Sequence, residues 1–272
     1  MSKTASKEGS GMQAIFAALV IPIAIIIGAL IWKFVMGDPG GFEGGDTEKN
    51  PLPGNILATM YKGGYIVPVL IGCFITVVTF SIERFITIGK SKGTGRIETF
   101  IQKIRSNMSS GNISAAKDEC QKQRGSIANV VMAGLTAYEQ MEKEKDMEKE
   151  RKILAIQKEL EEATTLELPM LSKNLVIIST IASIATLLGL LGTVIGMIRA
   201  FSALATAGAP DAVALSTGIS EALINTALGV GTSALAIIMY NFFTSKIDSI
   251  TYGIDEAGYT IVQSYAASHK AN

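Results

Sequence analysis

The residue with the clearest chemical potential in this 272-residue chain is a single glutamate inside an apolar stretch. Glu221 interrupts a run that is otherwise uncharged between Asp211 and Lys246. An ionisable group at such a depth in a membrane is costly and usually marks an ion path or a buried polar contact. Neither Lys nor Arg occurs at matching depth in another apolar stretch, so we expect a carboxyl without an internal counter-charge.

Other polar residues share the helical face of Glu221. Thr217 and Asn225 lie four residues to either side of it on the same face, and Thr226 lies next to that face. Residues four apart in a helix lie above one another, so these side chains form a line. Such a line suits a hydrated proton path. It suits equally a neutral glutamate that fixes helix register through hydrogen bonds.

The preceding apolar stretch carries a second stripe of small and hydroxyl-bearing residues. Its members, spaced by three and four, are Thr186, Gly189, Gly192, Thr193 and Gly196. The three glycines predict close helix packing, because small residues let membrane helices approach each other. The two threonine hydroxyls are candidates for a proton path, although packing alone would also explain the stripe.

Four stretches are long enough to place these residues in a membrane, since a spanning helix needs about 20 apolar residues. They cover residues 9–32 (continuing to 36), 63–82, 174–198 and 212–245. The first has an alternative interpretation as a cleaved secretory signal. A signal should end in small residues, whereas this one ends in bulky residues with Trp32 and Lys33 as an interfacial anchor. We therefore expect a retained helix.

The distribution of basic residues predicts the orientation of these spans. Residues 83–173 hold sixteen Lys and Arg, whereas residues 37–62 hold two against four acids. Positive loops stay cytoplasmic, so 83–173 and both termini are expected in the cytoplasm. The predicted organisation follows: an N-terminal tail and first helix (1–36), a periplasmic loop (37–62), a second helix (63–82), a helical cytoplasmic region (83–173), a core with the third and fourth helices (174–245) and a cytoplasmic C-terminal tail (246–272).

The sequence of the expected cytoplasmic region, residues 83–173, predicts helices throughout. From Ile127 onward the chain is expected to form one very long helix, because acids and bases alternate from Glu139 to Glu162 without Gly or Pro. The polar faces of the third and fourth spans would not tolerate lipid, so several copies should direct them toward a central pore. The sequence thus predicts an all-α integral membrane protein with four transmembrane helices, long helices extending into the cytoplasm and a ring-forming oligomer.

Composition excludes most familiar chemistries. Hydrophobic residues make up 48% and charged residues 18% of the chain, and the mean hydropathy is +0.36. The formal net charge is zero, which gives no reason to expect a nucleic-acid partner. The only histidine is His269, and the only cysteines are Cys73 and Cys120. We therefore expect no enzyme, no metal site and no cofactor.

The third and fourth spans resemble the MotA/TolQ/ExbB proton-channel family, and most closely its ExbB and TolQ members. Residues 181–198 read IASIATLLGLLGTVIGMI, and residues 218–231 read GISEALINTALGVG. Both motifs occur in the family's order, with a suitable loop between them and a cytoplasmic stretch of fitting length before them. The resemblance covers about residues 170–245.

The resemblance implies a subunit of a bacterial inner-membrane motor driven by the proton motive force. A homopentamer would surround the membrane helices of a small single-span partner, ExbD or TolR, which brings the titrating Asp. A TonB-like protein is a further possible partner. The family's polar pathway positions correspond to Thr193, Glu221 and Thr226.

Two positions depart from the family pattern. Thr186 replaces a usual Pro, and Asn225 stands where a small apolar residue is common. The first span has no counterpart in the shortest members. Two alternatives stay open: a stator that drives rotation or gliding, and a non-conducting membrane scaffold in which Glu221 only fixes assembly.

Overall fold

The computed structural model describes the backbone of residues 5–206 and 212–268 and the side chains of residues 18–205 and 213–268. The first residues of the predicted N-terminal tail, part of the connection between the third and fourth spans, and His269 lie outside the described residues. In the described part no β-strand occurs, and the one extended pairing is an isolated bridge between Phe42 and Pro51. The predicted all-helical fold is therefore confirmed for these residues.

Nine α-helices make up the described chain. They are α1 (Ala5–Leu30, continued by a π-helical turn Ile31–Met36), α2 (Ile56–Tyr61), α3 (Val67–Ser91), α4 (Ile97–Ser109), α5 (Ile113–Gln123), α6 (Gly125–Lys143), α7 (Lys149–Ser172), α8 (Leu175–Thr206) and α9 (Ala212–Ser268). Four helical segments are long and apolar enough to cross a membrane, as the sequence predicts. The chain is accordingly a multi-pass membrane protein.

The chain divides into two compact units. The first comprises Met1–Ile82 and Asn174–Tyr240, and the second comprises Glu83–Lys173 and Asn241–Asn272. The first unit contains the apolar stretches, and the second contains most of the charged residues.

In the first unit, α1 packs against α3 through glycines. A Cβ added at Gly28 would lie 2.4 Å from the carbonyl oxygen of Pro68, and one at Gly72 would lie 2.8 Å from the Cα of Ile25. Only glycine permits backbones to approach this closely. The first helix is therefore an integral part of this unit.

An aromatic cluster fixes the segment between α1 and α3. Trp32 stacks on Tyr61 with ring centroids 4.7 Å apart, and its indole N–H donates to the Tyr61 carbonyl at 3.2 Å. Phe42 lies buried against the same tyrosine. The Asn55 side chain accepts from the Ala58 N–H and caps α2. The loop thus folds around its aromatic residues, although it contains little regular structure.

In the second unit, α6 and α7 form an antiparallel hairpin. This corrects the expectation of one long helix after Ile127, because the helix breaks between Lys143 and Lys149. Folding back brings Gly134 of α6 against Leu160 of α7, where a Cβ would lie 2.4 Å from the leucine side chain. The charged run that favours an exposed helix gains only a few tenths of a kcal/mol per ion pair. Burial of apolar side chains along the hairpin is worth more and decides the fold.

The segment predicted as a C-terminal tail continues α9 as helix to Ser268. Its Tyr265 is buried, and the hydroxyl donates to the Met141 carbonyl at 3.1 Å. The same ring packs edge-on against Tyr138. The last helix is thus fixed to α6 within the second unit.

The buried Arg84 holds the end of α7. Its guanidinium donates to the carbonyls of Met170 and Leu171, both at 3.2 Å, and pairs with Glu83. These carbonyls belong to the last turn of α7, where no helical N–H satisfies them. Arg84 therefore replaces the missing donors at this helix end. The arginine itself is only 2% exposed.

Candidate functional site

The candidate site is built on the contact between α8 and α9. A Cβ at Gly196 would lie 2.7 Å from the Gly218 carbonyl, and one at Gly189 would lie 3.2 Å from the Cα of Gly229. The pairing of early with late residues makes the two helices antiparallel. The absence of side chains at the glycines brings the backbones together.

Gly192 accommodates a polar side chain of α9. A Cβ at this position would lie 2.3 Å from the Cβ of Asn225. Asn225 is completely buried, and its side-chain N–H donates to the carbonyl of Gly63 at 2.8 Å. Its side-chain oxygen has no hydrogen-bond partner among the described residues. The glycine stripe of α8 therefore does more than bring backbones together, because it makes room for this amide.

Two hydroxyls meet where the helices are closest. Thr193 of α8 and Thr226 of α9 are hydrogen-bonded to each other. The Thr193 hydroxyl also lies 3.2 Å from the Gly189 carbonyl and 3.3 Å from the Ala222 carbonyl. Both threonines are half-buried. Each hydroxyl has one proton to donate, so one threonine donates to the other, and the accepting threonine can in turn donate to a backbone carbonyl.

Glu221 precedes Thr226 on α9 by about one and a half turns and forms a salt bridge. Its Oε1 atom is 2.6 Å from Nη1 of Arg199, which stands near the end of α8. The side chain of Glu221 is 7% exposed, whereas that of Arg199 is 51% exposed. The carboxylate is thus buried and its cation reaches in from the surface.

This pair corrects the expectation that Glu221 has no internal counter-charge. Arg199 directly follows the third apolar run, which made it look like an interfacial residue. In the antiparallel contact, Gly196 packs on Gly218, so the C-terminal part of α8 lies beside the N-terminal part of α9. The long arginine side chain then reaches one turn deeper to Glu221. An antiparallel register drawn through the glycines would have signalled this contact.

The backbone of Gly64 closes the site. Gly64 has φ of +75°, and a Cβ there would lie 2.4 Å from Oε1 of Glu221 and 3.3 Å from Nη1 of Arg199. Gly63, its neighbour, accepts the Asn225 hydrogen bond. The turn before α3 therefore contacts both polar residues of α9, a role that the sequence did not reveal.

Two predicted pathway residues lie apart from this cluster. Thr186 is half-buried on α8, two helical turns from Thr193. Thr217 donates its hydroxyl to the Val213 carbonyl at 2.9 Å within α9. It lines a separate cavity of 230 Å³ with Ser216 of α9 and with Pro51 and Lys62 of the segment between α1 and α3. The structure thus joins Thr193, Glu221, Asn225 and Thr226 around one helix contact, and leaves Thr186 and Thr217 on either side of it.

The chemistry of this site is that of a carboxyl group, an amide and two hydroxyls. Within the described residues, no group of three or more His, Cys, Asp or Glu side chains converges on a point where it could hold a metal ion. The arrangement offers one proton-exchanging group, Glu221, and hydroxyls that can pass a hydrogen bond. It suits proton or hydrogen-bond exchange at a helix interface.

The part of the chain that carries this site is similar to a known protein family. Residues 123–256 match the family model described as the MotA/TolQ/ExbB proton channel family. That range contains α6, α7, α8 and the part of α9 that carries Glu221.

Individual relatives carry ExbB and TolQ names. An ExbB-like biopolymer transport protein of Synechocystis sp. is 40% identical over 32% of this chain and 42% of its own length. The Tol-Pal system protein TolQ of Pseudomonas aeruginosa is 26% identical over 46% of this chain and 54% of its own. The biopolymer transport protein ExbB of Helicobacter pylori is 40% identical over 30% of this chain and 56% of its own.

The matches span about half the length of these relatives, from 42% to 56%. They support the resemblance that the two membrane motifs indicate. Through residues 123–256, the chain belongs to the MotA/TolQ/ExbB proton channel family and is of the ExbB/TolQ type.

Proposed function

We propose that this chain is a bacterial inner-membrane subunit that conducts protons in a motor driven by the proton motive force. It works with an ExbD/TolR-like single-span partner that carries a titrating Asp. The motor energises outer-membrane transport or envelope maintenance, with a TonB-like protein as a further possible partner. Membership of a proton channel family and the names of the ExbB and TolQ relatives support this proposal.

One observation carries the proposal most directly. Glu221 lies about one and a half turns from Thr226, which is hydrogen-bonded to Thr193, inside helices long enough to cross a membrane. A buried carboxyl and a pair of linked hydroxyls on the same helix contact are groups that can take part in proton transfer. Thr193 also lines an open groove on α8 with Met197 and Phe201, which gives a second helix or water access to the hydroxyl.

Assembly into a homo-oligomer, taken as a pentamer from the family resemblance, belongs to the same proposal. Large apolar side chains such as Leu187, Val194 and Phe201 are exposed along α8. Some of them would face lipid, and others a neighbouring copy or the partner helix. In such a ring, Thr186 and Thr217 would extend the polar path on either side of the central cluster.

A non-conducting scaffold is the second candidate, and the ion pair favours it. Glu221 is bound to Arg199 and backed by Gly64, so its carboxylate already has a structural partner. A pair of this kind can hold two helices in register without transferring a proton. A rotary or gliding stator would need a contact surface for a rotor. The charged tip of the α6–α7 hairpin, residues 144–148, is the surface for testing that variant of the proposal.

Proton flux in reconstituted vesicles, with the single-span partner present, tests the proposal. Glu221→Gln keeps the shape of the side chain but removes its titration. Thr193→Val and Thr226→Val each delete one hydroxyl at similar volume. We expect all three variants to lose most of the flux while the oligomer still forms. Each threonine variant removes membrane hydrogen bonds worth only about 0.6 kcal/mol each, and Glu221→Gln leaves the glycine contacts between α8 and α9 in place.

A matched control uses another threonine of α8. Thr180 is exposed and its hydroxyl donates to the Val176 carbonyl within its own helix, so Thr180→Val should leave the flux unchanged. Full flux in Glu221→Gln and in both threonine variants would rule out the path and select the scaffold.

A further inference from the structure

We propose that the second unit binds an anionic phospholipid in a cavity between α3 and α9. The lipid phosphate would be held by Lys92 and Lys246, and an acyl chain would lie against Phe85 and Phe242. This inference is independent of proton conduction, because every residue of the cavity lies outside the site around Glu221.

The cavity has a volume of 380 Å³ and a fixed apolar floor. Ile88 and Phe243 line it and are 6% and 1% exposed. Phe85 and Phe242 form its wall, with parallel rings whose centroids are 6.3 Å apart. These two rings are 63% and 41% exposed, so they offer an apolar surface to a ligand and not to the protein core.

Both helices present the same order of residues along the cavity. On α3, Phe85 is followed by Lys92, about 10 Å further along a helix that rises 1.5 Å per residue. On α9, Phe242 is followed by Lys246, about 6 Å further along. In the orientation that the sequence predicts, both helices run from the outer side to the cytoplasm. The aromatic rings therefore come first and the ammonium groups second on both walls.

This order matches a phospholipid standing in the inner leaflet. The long uncharged stretch of α3 ends at Ile82, and Lys246 is the first charged residue after the fourth apolar run. Aromatic rings at such a boundary lie at the level of the glycerol backbone, and basic residues just beyond them meet the headgroups. A lipid phosphate would lie between the two lysines.

The charges at the rim favour an anion. Among the described residues, neither Lys92 nor Lys246 pairs with a carboxylate, and Lys246 lies over the Phe242 ring at 5.6 Å. Glu98 also lines the cavity, but Arg96 lies 3.8 Å from its carboxylate and offsets its charge. The hydroxyl of Ser249 at the rim adds a donor for a phosphate oxygen.

The backbone around Lys92 is held in place before any ligand binds. Its carbonyl accepts from the side-chain amide of Gln123 at 3.0 Å, and its N–H donates to the Ile88 carbonyl at 3.0 Å. The following Gly93 has φ of +77° and packs against the carbonyls of Gln123 and Arg124. The position of one phosphate-binding lysine is therefore set by the fold, which lowers the entropy cost of binding.

Native mass spectrometry of the full chain in mild detergent tests the proposal. Phosphatidylglycerol and phosphatidylcholine with identical acyl chains are titrated against the wild type and a Lys92→Gln/Lys246→Gln variant. We expect the wild type to prefer phosphatidylglycerol by roughly 30-fold, the value for two lysines near a lipid surface. The preference should fall close to unity in the double variant.

The control is Lys90→Gln, at the same end of α3 but outside the cavity lining. It should keep the full preference for phosphatidylglycerol. Lys246→Gln alone should reduce the logarithm of that preference by about half. Unchanged thermal unfolding of each variant separates loss of binding from loss of folding.

Four results would overturn the assignment. The first is equal binding of both lipids by the wild type, and the second is a preference that survives in the double variant. The third is competition by glycerol phosphate at the concentration of the lipid, which would make the cavity a site for soluble phosphates. A disulfide between copies carrying Ser249→Cys would likewise show that a second chain covers the cavity.

Discussion

The Nη1 atom of Arg199 lies 2.6 Å from the Oε1 atom of Glu221, and this ion pair joins α8 to α9. The carboxylate is buried, and the guanidinium is half-exposed. Removing a charge from such a pair leaves the other in a poorly solvated place. The same contact is therefore both a structural tie between α8 and α9 and the point where charge in the site can change.

A double-mutant cycle measures the strength of this tie. Arg199→Gln and Glu221→Gln should each destabilise the protein by roughly 2 kcal/mol, less than a fully buried pair because the arginine is partly exposed. The double variant should lose less than the sum, since the two effects share one interaction. Unfolding in detergent micelles is the measurement. Strictly additive losses would show that the two residues do not interact.

Gly64→Ala should disturb the site from its backbone side. The positive φ costs a side chain about 1–2 kcal/mol, and the new Cβ would lie 2.4 Å from the Glu221 carboxylate. Gly54→Ala is the matched control, because Gly54 has φ of +83° but nothing within 4 Å of a Cβ. The midpoint temperature of thermal unfolding should fall further for Gly64→Ala than for Gly54→Ala. Equal losses would mean that only backbone strain matters.

Gly192→Ala should separate α8 from α9. Its Cβ would collide with Asn225 at 2.3 Å, and the buried amide cannot move without losing its bond to the Gly63 carbonyl. We expect a loss of roughly 1–3 kcal/mol, as for overpacking of a core. In Gly231→Ala the new methyl meets no atom within 4 Å, and this variant should be close to neutral. A neutral Gly192→Ala would contradict the packing described.

Arg84→Met should loosen the end of α7. It leaves the Met170 and Leu171 carbonyls without their donor, which costs roughly 1–3 kcal/mol. Arg96→Met removes an arginine whose side chain is 82% exposed, so that variant should change stability by less than about 0.5 kcal/mol. Chemical unfolding of the full chain compares the two. A similar effect of both variants would argue against the capping role.

The thiol of Cys120 should be unreactive while the protein is folded. Burial, followed by the nearby Glu119 charge, raises the pKa of Cys120 from 9.0 to about 12. In a Cys73→Ala background Cys120 is the one remaining thiol of the chain. A maleimide at pH 8 should label it only after unfolding, because the thiolate is the reacting form. Labelling of the native protein would contradict its burial.

The same shift gives a pH dependence of stability. Between pH 9 and 12 the unfolded thiol loses its proton while the folded thiol keeps it, so the unfolded state binds fewer protons. Stability therefore falls as pH rises through this window. Cys120→Ala should reduce this fall, as measured by thermal unfolding at pH 8 and pH 10.

The apolar runs and their small residues were sufficient to predict the membrane helices. Backbone groups in a bilayer must be satisfied within their own segment, so about 20 uncharged residues leave helix as the solution. The hydroxyls of Thr193 and Thr226 and the carboxyl of Glu221 were visible for the same reason. In an apolar run, each polar side chain stands out from its surroundings.

The tertiary structure alone decided which of these residues meet. Arg199 and Glu221 are 22 residues apart, and Asn225 bonds to Gly63 at a separation of 162 residues. Helical periodicity places a side chain on a face, but it does not fix the register between helices. That register depends on how closely the backbones approach at Gly189, Gly192 and Gly196.

The break between α6 and α7 has a similar cause. The charged run from Glu139 to Glu162 by itself favours continuous helix through local pairs. The hairpin forms because contacts between distant residues, such as Gly134 with Leu160, bury more apolar surface than one straight helix would. Local preference thus determined where helices occur. Burial between elements determined where they end and which polar groups they bring together.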